Sequence, residues 1–219
     1  MSSRSPTYPC ICALFLASAF STAVRADVDD FQMVNLRSFA PTIVIELRYA
    51  TSENIAHRPI YPSGTQPFLR AGVAKRLLNA QSILKQYGYG LKVWDAFRSR
   101  EAQAALWKVA PNNDYVANPD ANGGSLHSWG IAVDATLVDS WNRPVEMPTD
   151  FDDFTPAAMM RYTGIDPNVR THLAILQSAM GRSGFYGMRT EWWHFTPTDW
   201  KRYIPATEAK LHGPAVKLH

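Results

Sequence analysis

The sequence of 219 residues has little cysteine, and its two cysteines, Cys10 and Cys12, both lie near the N-terminus. The chain beyond residue 26 therefore has no thiol for a disulfide, for a cysteine nucleophile or for a cysteine metal ligand. An excess of one charge is also lacking, because 22 Lys and Arg oppose 19 Asp and Glu and no basic run occurs. We therefore expect no nucleic-acid partner, since such binding needs clustered positive charge.

Long hydrophobic runs are absent except near the N-terminus, where CICALFLASAF covers residues 10–20. Arg4 precedes this run and small residues follow it, which is the pattern of a secretory signal peptide. The run is shorter than the ~20 residues that span a bilayer. We therefore predict a signal peptide at 1–26, cleaved after Ala23 or Ala26, and a mature chain without a membrane span. A retained N-terminal anchor is the alternative.

The remaining residues suit one domain with a sizeable core, since 46% of the sequence is hydrophobic and 12% is aromatic. Apolar residues at three- and four-residue steps predict helices, and alternating or apolar runs predict strands. The predicted helices cover 70–87, 100–109 and 168–182, and the predicted strands cover 43–49, 91–97, 130–137 and 185–195.

Helices and strands are mixed in this pattern without regular alternation. Such an order favours a single α+β domain, with a mainly antiparallel sheet and packed helices, over a doubly wound parallel sheet. We assign this domain to residues 27–205. The last segment, 206–219, has little pattern, and we predict a loosely structured tail there.

Two segments contain residues suited to bind a metal ion: SLHSWGIAVDATL at 125–137 and EWWH at 191–194. His127, Asp134 and His194 are nitrogen and oxygen ligands of the kind that a hydrolytic zinc ion takes, with a fourth position left for water. Asp134 follows Val133 in an apolar strand, where an unpaired carboxylate is costly and a cation relieves that cost. The alternatives are a hydrogen-bonded core aspartate and an exposed loop histidine.

Glu191 is suited to take the proton from water beside such an ion, because it is a carboxylate three residues before His194. Trp192 and Trp193 would exclude water and raise the basicity of this carboxylate. Core packing is the alternative for the tryptophans. In a regular strand, residues three apart point to opposite faces, so the chain must bulge or turn if both side chains reach one ion.

Arg98 lies between a predicted strand and a helix that Ser99 would cap. A guanidinium at a strand end can stabilise a developing oxyanion or hold a substrate carboxylate. The alternative is a simple ion pair with Asp95 or another acid.

These motifs resemble those of the D-alanyl-D-alanine dipeptidases, the zinc dipeptidases of the vancomycin-resistance type within the D-Ala-D-Ala metallopeptidase family. SLHSWGIAVD fits the S-x-H-x-x-G-x-A-x-D signature, and EWWH fits the second motif. Further segments follow the family in the same order, so that the resemblance covers most of 36–200. These segments are LRYATSENI, RPIY, WDAFRS and MPTDFD.

The resemblance implies a role for each candidate residue. His127, Asp134 and His194 would bind one zinc ion per subunit. Glu191 would be the general base and then the proton donor to the leaving amine, and Arg98 would stabilise the tetrahedral intermediate. The substrate would be free D-Ala-D-Ala. The positions near the substrate termini are Tyr49, Ser125 and Asp152, and an acid such as Asp152 would pair with the free amino terminus.

The resemblance also implies a fold like that of Hedgehog domains and D,D-peptidases, in a small α+β domain. The predicted signal peptide departs from the cytoplasmic resistance enzymes of the family. It favours a bacterial periplasmic enzyme that salvages D-Ala-D-Ala as a nutrient over one that confers resistance. The alternatives are a D,D-carboxypeptidase or endopeptidase acting on peptidoglycan peptides, and a non-catalytic wall-binding module that keeps zinc. The sequence leaves the oligomeric state open.

Overall fold

The computed structural model describes residues 28–121 and 123–203. The predicted signal peptide at 1–26 and the predicted tail at 206–219 both lie outside these ranges. Within them, no helix is long and apolar enough to cross a membrane.

A central sheet of five strands, in the order β2–β4–β5–β7–β6, organises the described residues. The strands are β1 Met33–Asn35, β2 Val44–Ile45, β3 Phe68–Arg70, β4 Tyr89–Asp95, β5 Val133–Asp139, β6 Phe185–Met188 and β7 Glu191–Pro197. Pairing is antiparallel from β4 to β6, whereas β2 lies parallel to β4. Strands β1 and β3 form a separate antiparallel pair. The predicted α+β class with a mainly antiparallel sheet is therefore confirmed.

Four α-helices accompany the strands within the described ranges: α1 Leu36–Phe39, α2 Ala71–Lys85, α3 Arg100–Val109 and α4 Pro167–Arg182. Helix α2 packs against β4 and against α4. Their apolar stripes, which include Leu77, Leu84, Leu173 and Leu176, are buried in the core. The Ser99 hydroxyl accepts a hydrogen bond from the Ala102 amide at 3.2 Å, so the predicted cap of α3 is confirmed.

Two strand predictions differ from the structure. The predicted strand at 43–49 ends at Ile45, and a 3₁₀ helix at Arg48–Ala50 follows it. The Tyr49 carbonyl there accepts hydrogen bonds from the amides of Ile60 and Tyr61, so this segment pairs with the following loop rather than with the sheet. The predicted strand region at 185–195 is a hairpin of two strands, β6 and β7.

Candidate metal and catalytic site

The three candidate metal ligands come from separate elements that meet at one end of the central sheet. His127 lies in a 3₁₀ helix at Leu126–Trp129. Asp134 lies in β5, and its partner across the antiparallel pairing with β7 is His194. Side chains of directly opposed residues lie on the same face of a sheet, so the strand register itself brings Asp134 and His194 together.

The donor atoms of these side chains lie at nearly equal distances from one another. The Asp134 Oδ1 atom is 3.0 Å from His194 Nδ1 and 3.4 Å from His127 Nε2. The two imidazole nitrogens are 3.2 Å apart. Zinc ligands at 2.0–2.1 Å in a tetrahedron are separated by about 3.3 Å. The three atoms therefore fit one face of a zinc coordination tetrahedron.

Hydrogen bonds on the far side of each imidazole fix the ring orientations. His127 Nδ1 donates to the Ala96 carbonyl at 2.8 Å, which leaves the Nε2 lone pair free to bind a metal. His194 Nε2 lies 3.4 Å from the Thr196 hydroxyl, with Nδ1 turned toward Asp134. Burial opposes the ionisation of Asp134, but His127 and His194 outweigh it and lower the pKa of this carboxyl below its usual range. Asp134 is therefore a carboxylate at neutral pH.

Glu191 lies beside the ligands without belonging to the cluster. Its Oε2 atom is 3.9 Å from His194 Nδ1, and the residue is 6% exposed. The pairing of β6 with β7 is irregular at this point, since Gly187 pairs with Phe195 but Met188 pairs with Glu191. This irregularity lies between Glu191 and His194, where the three-residue spacing requires the chain to bulge or turn. Burial, together with the charges of Asp134 and Asp152, raises the pKa of Glu191 well above its usual value.

Arg98 is buried beside the same cluster. Its Nη2 atom is 2.7 Å from Asp95 Oδ2 and 3.7 Å from Asp134 Oδ2. The guanidinium also stacks over the Tyr49 ring, 4.6 Å from its centroid. The ion pair with Asp95 that the sequence left as an alternative is therefore present, and it holds the guanidinium toward the metal ligands.

The candidate substrate residues Tyr49 and Asp152 contact each other, since the Tyr49 hydroxyl donates to Asp152 Oδ1 at 3.0 Å. The Ile55 amide donates to the other carboxylate oxygen at 3.1 Å. Asp152 is a non-glycine residue with φ of 58°, a strained conformation that aims its side chain inward. Burial raises the pKa of Asp152 to about 7. The Ser125 hydroxyl accepts from the His127 amide at 3.2 Å and so begins the 3₁₀ helix that holds this histidine.

Aromatic side chains form a wall behind the site. Trp192 and Trp193 are 0% and 1% exposed and meet edge to face. Trp192 also contacts Trp94 edge to face, and its indole N–H donates to the Thr149 hydroxyl at 3.0 Å. Both tryptophans therefore pack in the core, as the alternative held.

Sequence reasoning missed two residues around Arg98, Gln103 and Tyr61, and named Asp95 only as an alternative ion-pair partner. Asp95 is fully buried and binds Arg98 directly, and the Gln103 side-chain oxygen Oε1 accepts from Arg98 Nη1 at 2.9 Å. Tyr61 donates a short hydrogen bond to Asp95. Asp95 lies in the apolar segment KVWDAF, the same signal that identified Asp134, so its sequence context already marked it as costly to bury alone.

Comparisons with known proteins find close relatives of the chain. Residues 29–208 match a family described as D-ala-D-ala dipeptidase. A D-alanyl-D-alanine dipeptidase of Escherichia coli K12 is 33% identical over 76% of this chain and 85% of its own length. One of Enterococcus faecium is 30% identical over 70% of this chain and 85% of its own.

Among solved structures, a variant of the vancomycin resistance D,D-pentapeptidase VanY in complex with Zn(II) resembles the chain distantly. It is 17% identical, covers 70% of this chain and 84% of its own, and has a TM-score of 0.38.

Proposed function

The chain belongs to the D-Ala-D-Ala dipeptidase family of peptidases, and from that premise we propose that it hydrolyses free D-Ala-D-Ala to two D-alanines. The reaction would use one zinc ion held by His127, Asp134 and His194. The two curated relatives above are named for the same activity.

The observation that carries this proposal is the spacing of the three donor atoms, 3.0–3.4 Å apart. Three buried lone pairs at this spacing repel one another unless a proton or a metal ion lies between them, and one metal ion satisfies all three at once. A mixed set of two imidazoles and one carboxylate is a donor set that zinc prefers in hydrolytic enzymes. A zinc ion in this position supplies Lewis acidity at the scissile carbonyl and makes water a stronger acid.

Glu191 is placed to move the protons of the reaction. Its raised pKa makes it a stronger base than an exposed glutamate, and its burial limits competition from bulk water. We infer that Glu191 accepts the proton of the attacking water and then donates it to the leaving amine, as peptide hydrolysis requires. Arg98 would donate hydrogen bonds to the oxyanion that forms at the scissile carbonyl.

Asp152 supports a preference for a free dipeptide. Its carboxylate is buried and already accepts from Tyr49 and Ile55, yet each oxygen keeps a lone pair for a substrate ammonium. Tyr49 links Asp152 to Arg98, because its hydroxyl contacts Asp152 and its ring face contacts the guanidinium. The proposed contacts to the substrate amino terminus and to the oxyanion are therefore joined through one side chain. A substrate whose amino terminus continues into a longer peptide would leave Asp152 buried without a cation.

We also propose that the enzyme acts in the bacterial periplasm, where it would release D-alanine as a nutrient. This proposal rests on the signal-peptide pattern of residues 1–26. N-terminal sequencing of the protein from fractionated cells tests it: a chain beginning at residue 24 or 27 in the periplasmic fraction supports export, and an intact N-terminus in the cytosol contradicts it.

The central experiment measures zinc content and D-alanine release with D-Ala-D-Ala and a longer D-Ala-D-Ala-ended wall peptide side by side. We expect about one zinc per chain and release from the dipeptide alone. Preferential release from the longer peptide would instead identify a D,D-carboxypeptidase. Zinc binding without cleavage of either peptide would favour the non-catalytic wall-binding module.

A further inference from the structure

The guanidinium of Arg98 is held on several sides at once. Three of its five N–H groups are committed: Nε and Nη2 donate to Asp95 Oδ2 at 2.9 and 2.7 Å, and Nη1 donates to Gln103 Oε1 at 2.9 Å. Stacking over Tyr49 fixes the plane of the group. The uncommitted N–H groups are therefore the ones available to a substrate beside Asp134.

Asp95 is fixed mainly by donors outside the metal cluster, although its Oδ2 atom also lies 3.4 Å from His127 Nδ1. Its Oδ1 atom accepts from the Ala96 amide at 2.8 Å and from the Tyr61 hydroxyl, and its side chain is 0% exposed. Burial raises the pKa of Tyr61 well above its usual value, so the phenol stays protonated and donates. With Arg98 on Oδ2, four N–H or O–H groups converge on this one carboxylate.

A bulge in β4 gives Asp95 its position. The pairing of β4 with β5 shifts by one residue between Val93 and Asp95, so that Asp95 faces Asp134 instead of Val133. Bulges next to active sites re-aim side chains in this way. The shift places Arg98 between two carboxylates, with Nη2 at 2.7 Å from one and 3.7 Å from the other.

We propose that Asp95, supported by Tyr61, is a positioning residue that aims Arg98 at the oxyanion. The inference rests on the proposed function, in which Arg98 stabilises the charge that develops at the scissile carbonyl. Asp95 itself does not reach the substrate; it acts through the guanidinium. Without the carboxylate, Arg98 would turn toward Asp134, which is the nearest remaining acid.

The test compares zinc-loaded Asp95→Asn, Arg98→Ala and the double variant on D-Ala-D-Ala. Asn keeps the shape of the side chain but has one acceptor oxygen for four donors. We expect each single change to lower kcat by roughly 10²–10³-fold, with a smaller effect on KM. Because both act on one interaction, the double variant should be no slower than Arg98→Ala alone. Losses that multiply would overturn the proposal.

Asp139→Asn is the matched control. Asp139 lies at the other end of β5 and also pairs with a guanidinium, Arg143 Nε, at 2.7 Å from Oδ2. We expect this variant to keep wild-type kcat. A milder variant, Tyr61→Phe, removes one donor from Asp95 and should lower kcat by less than Asp95→Asn, with unchanged zinc content. An unchanged kcat in Tyr61→Phe would remove the supporting role of Tyr61.

A second readout does not depend on activity. The Arg98 Nε–H proton should exchange slowly with water in the wild-type protein and give a nuclear magnetic resonance signal that Arg98→Ala lacks. We expect Asp95→Asn to lose this protection, and continued protection would overturn the proposal. Wild-type protein that releases no D-alanine would overturn the proposed function, while the exchange measurement would still decide whether Asp95 holds Arg98.

Discussion

Charged residues on the central sheet are arranged differently at the end that holds the metal ligands and away from it. Away from that end, Lys92 Nζ in the middle of β4 lies 2.6 Å from Glu46 Oε2, and Asp139 at the far end of β5 pairs with Arg143. At the metal end, the buried acids outnumber the buried cation. Among the described residues, that end holds Asp95, Asp134, Asp152 and Glu191 as buried carboxyl groups, with Arg98 as their buried cation.

This difference distinguishes charged residues with a structural role from those with a functional role on the same strands. A buried ion pair carries no net charge, so it needs no further ion once its remaining polar atoms are hydrogen-bonded. A surplus of buried carboxylates is unstable unless a cation or protons neutralise the negative charge. Both kinds of neutralisation are available at the metal end. Its imidazoles and Asp134 are spaced for a divalent ion, while burial raises the pKa of Asp152 to about 7. The unpaired charge, rather than the number of charges, marks the site.

The largest effect should come from Asp134→Asn, which removes the charged ligand at the metal end. Neutral amides bind zinc poorly, so we expect zinc affinity to fall by more than the ~10–100-fold that changes around the ligands cost, and D-alanine release to stop. The measurement is zinc content after dialysis against a chelator. Asp139→Asn, on the same strand, should leave zinc content unchanged. Full zinc occupancy in Asp134→Asn would break the comparison between the two ends.

Glu191→Gln should separate proton transfer from metal binding within the metal end. The amide has nearly the same shape but cannot take a proton from water, so we expect kcat to fall by about 10²–10⁴-fold. Zinc content should stay at the wild-type level, because Glu191 lies outside the ligand cluster. Concurrent loss of zinc would instead make Glu191 a ligand.

Much of this end of the molecule could be predicted from the sequence, because short motifs carry the ligands. His127 and Asp134 lie on one segment of eight residues, and Glu191 and His194 lie on one of four. The three longer helices were also predictable, since their apolar periodicity extends over several turns, whereas the four-residue helix α1 was not predicted. The sequence could not give the register that sets His194 opposite Asp134, because strand pairing depends on residues distant along the chain.

Other features depend on tertiary contacts that no local pattern contains. The alternation of apolar residues at 43–49 predicts a strand of seven residues, but the strand ends at Ile45. The Tyr49 carbonyl instead accepts hydrogen bonds from the amides of Ile60 and Tyr61 in the following loop. The hydrogen bonds between Arg98 and Asp95 depend on a bulge in β4 and on Tyr61, which lies in a separate loop. These contacts appear only in the folded chain.

Asp152→Asn should have a smaller effect, confined to substrate binding and its pH dependence. Since burial raises the pKa of Asp152 to about 7, the carboxyl is neutral below that pH and cannot pair with an ammonium group. We therefore expect wild-type kcat/KM for D-Ala-D-Ala to rise with pH through about 7. The variant should lose this rise, and its KM should increase about 10- to 100-fold, as for a lost hydrogen bond between charged groups.

The control for this prediction is a dipeptide with a blocked amino terminus, whose slow cleavage should not respond to Asp152→Asn. A pH rise that persists in the variant would assign the titration to another group. The same result would weaken the argument that Asp152 restricts the enzyme to free dipeptides.

The smallest effect should come from a paired charge away from the metal ligands, through Lys92→Met. Methionine fills the volume of the lysine stem, and Glu46 keeps a second cation, Arg48, whose Nε atom lies 2.8 Å from its carboxylate. Because no charge is left alone, we expect the free energy of unfolding in urea to fall by only about 1 kcal/mol. Zinc content and kcat/KM should match the wild-type protein, because Lys92 contacts neither Arg98 nor a metal ligand. A large loss of kcat/KM at unchanged stability would mean that the two ends of the sheet are coupled, and charge pairing would then no longer distinguish structural residues from catalytic ones.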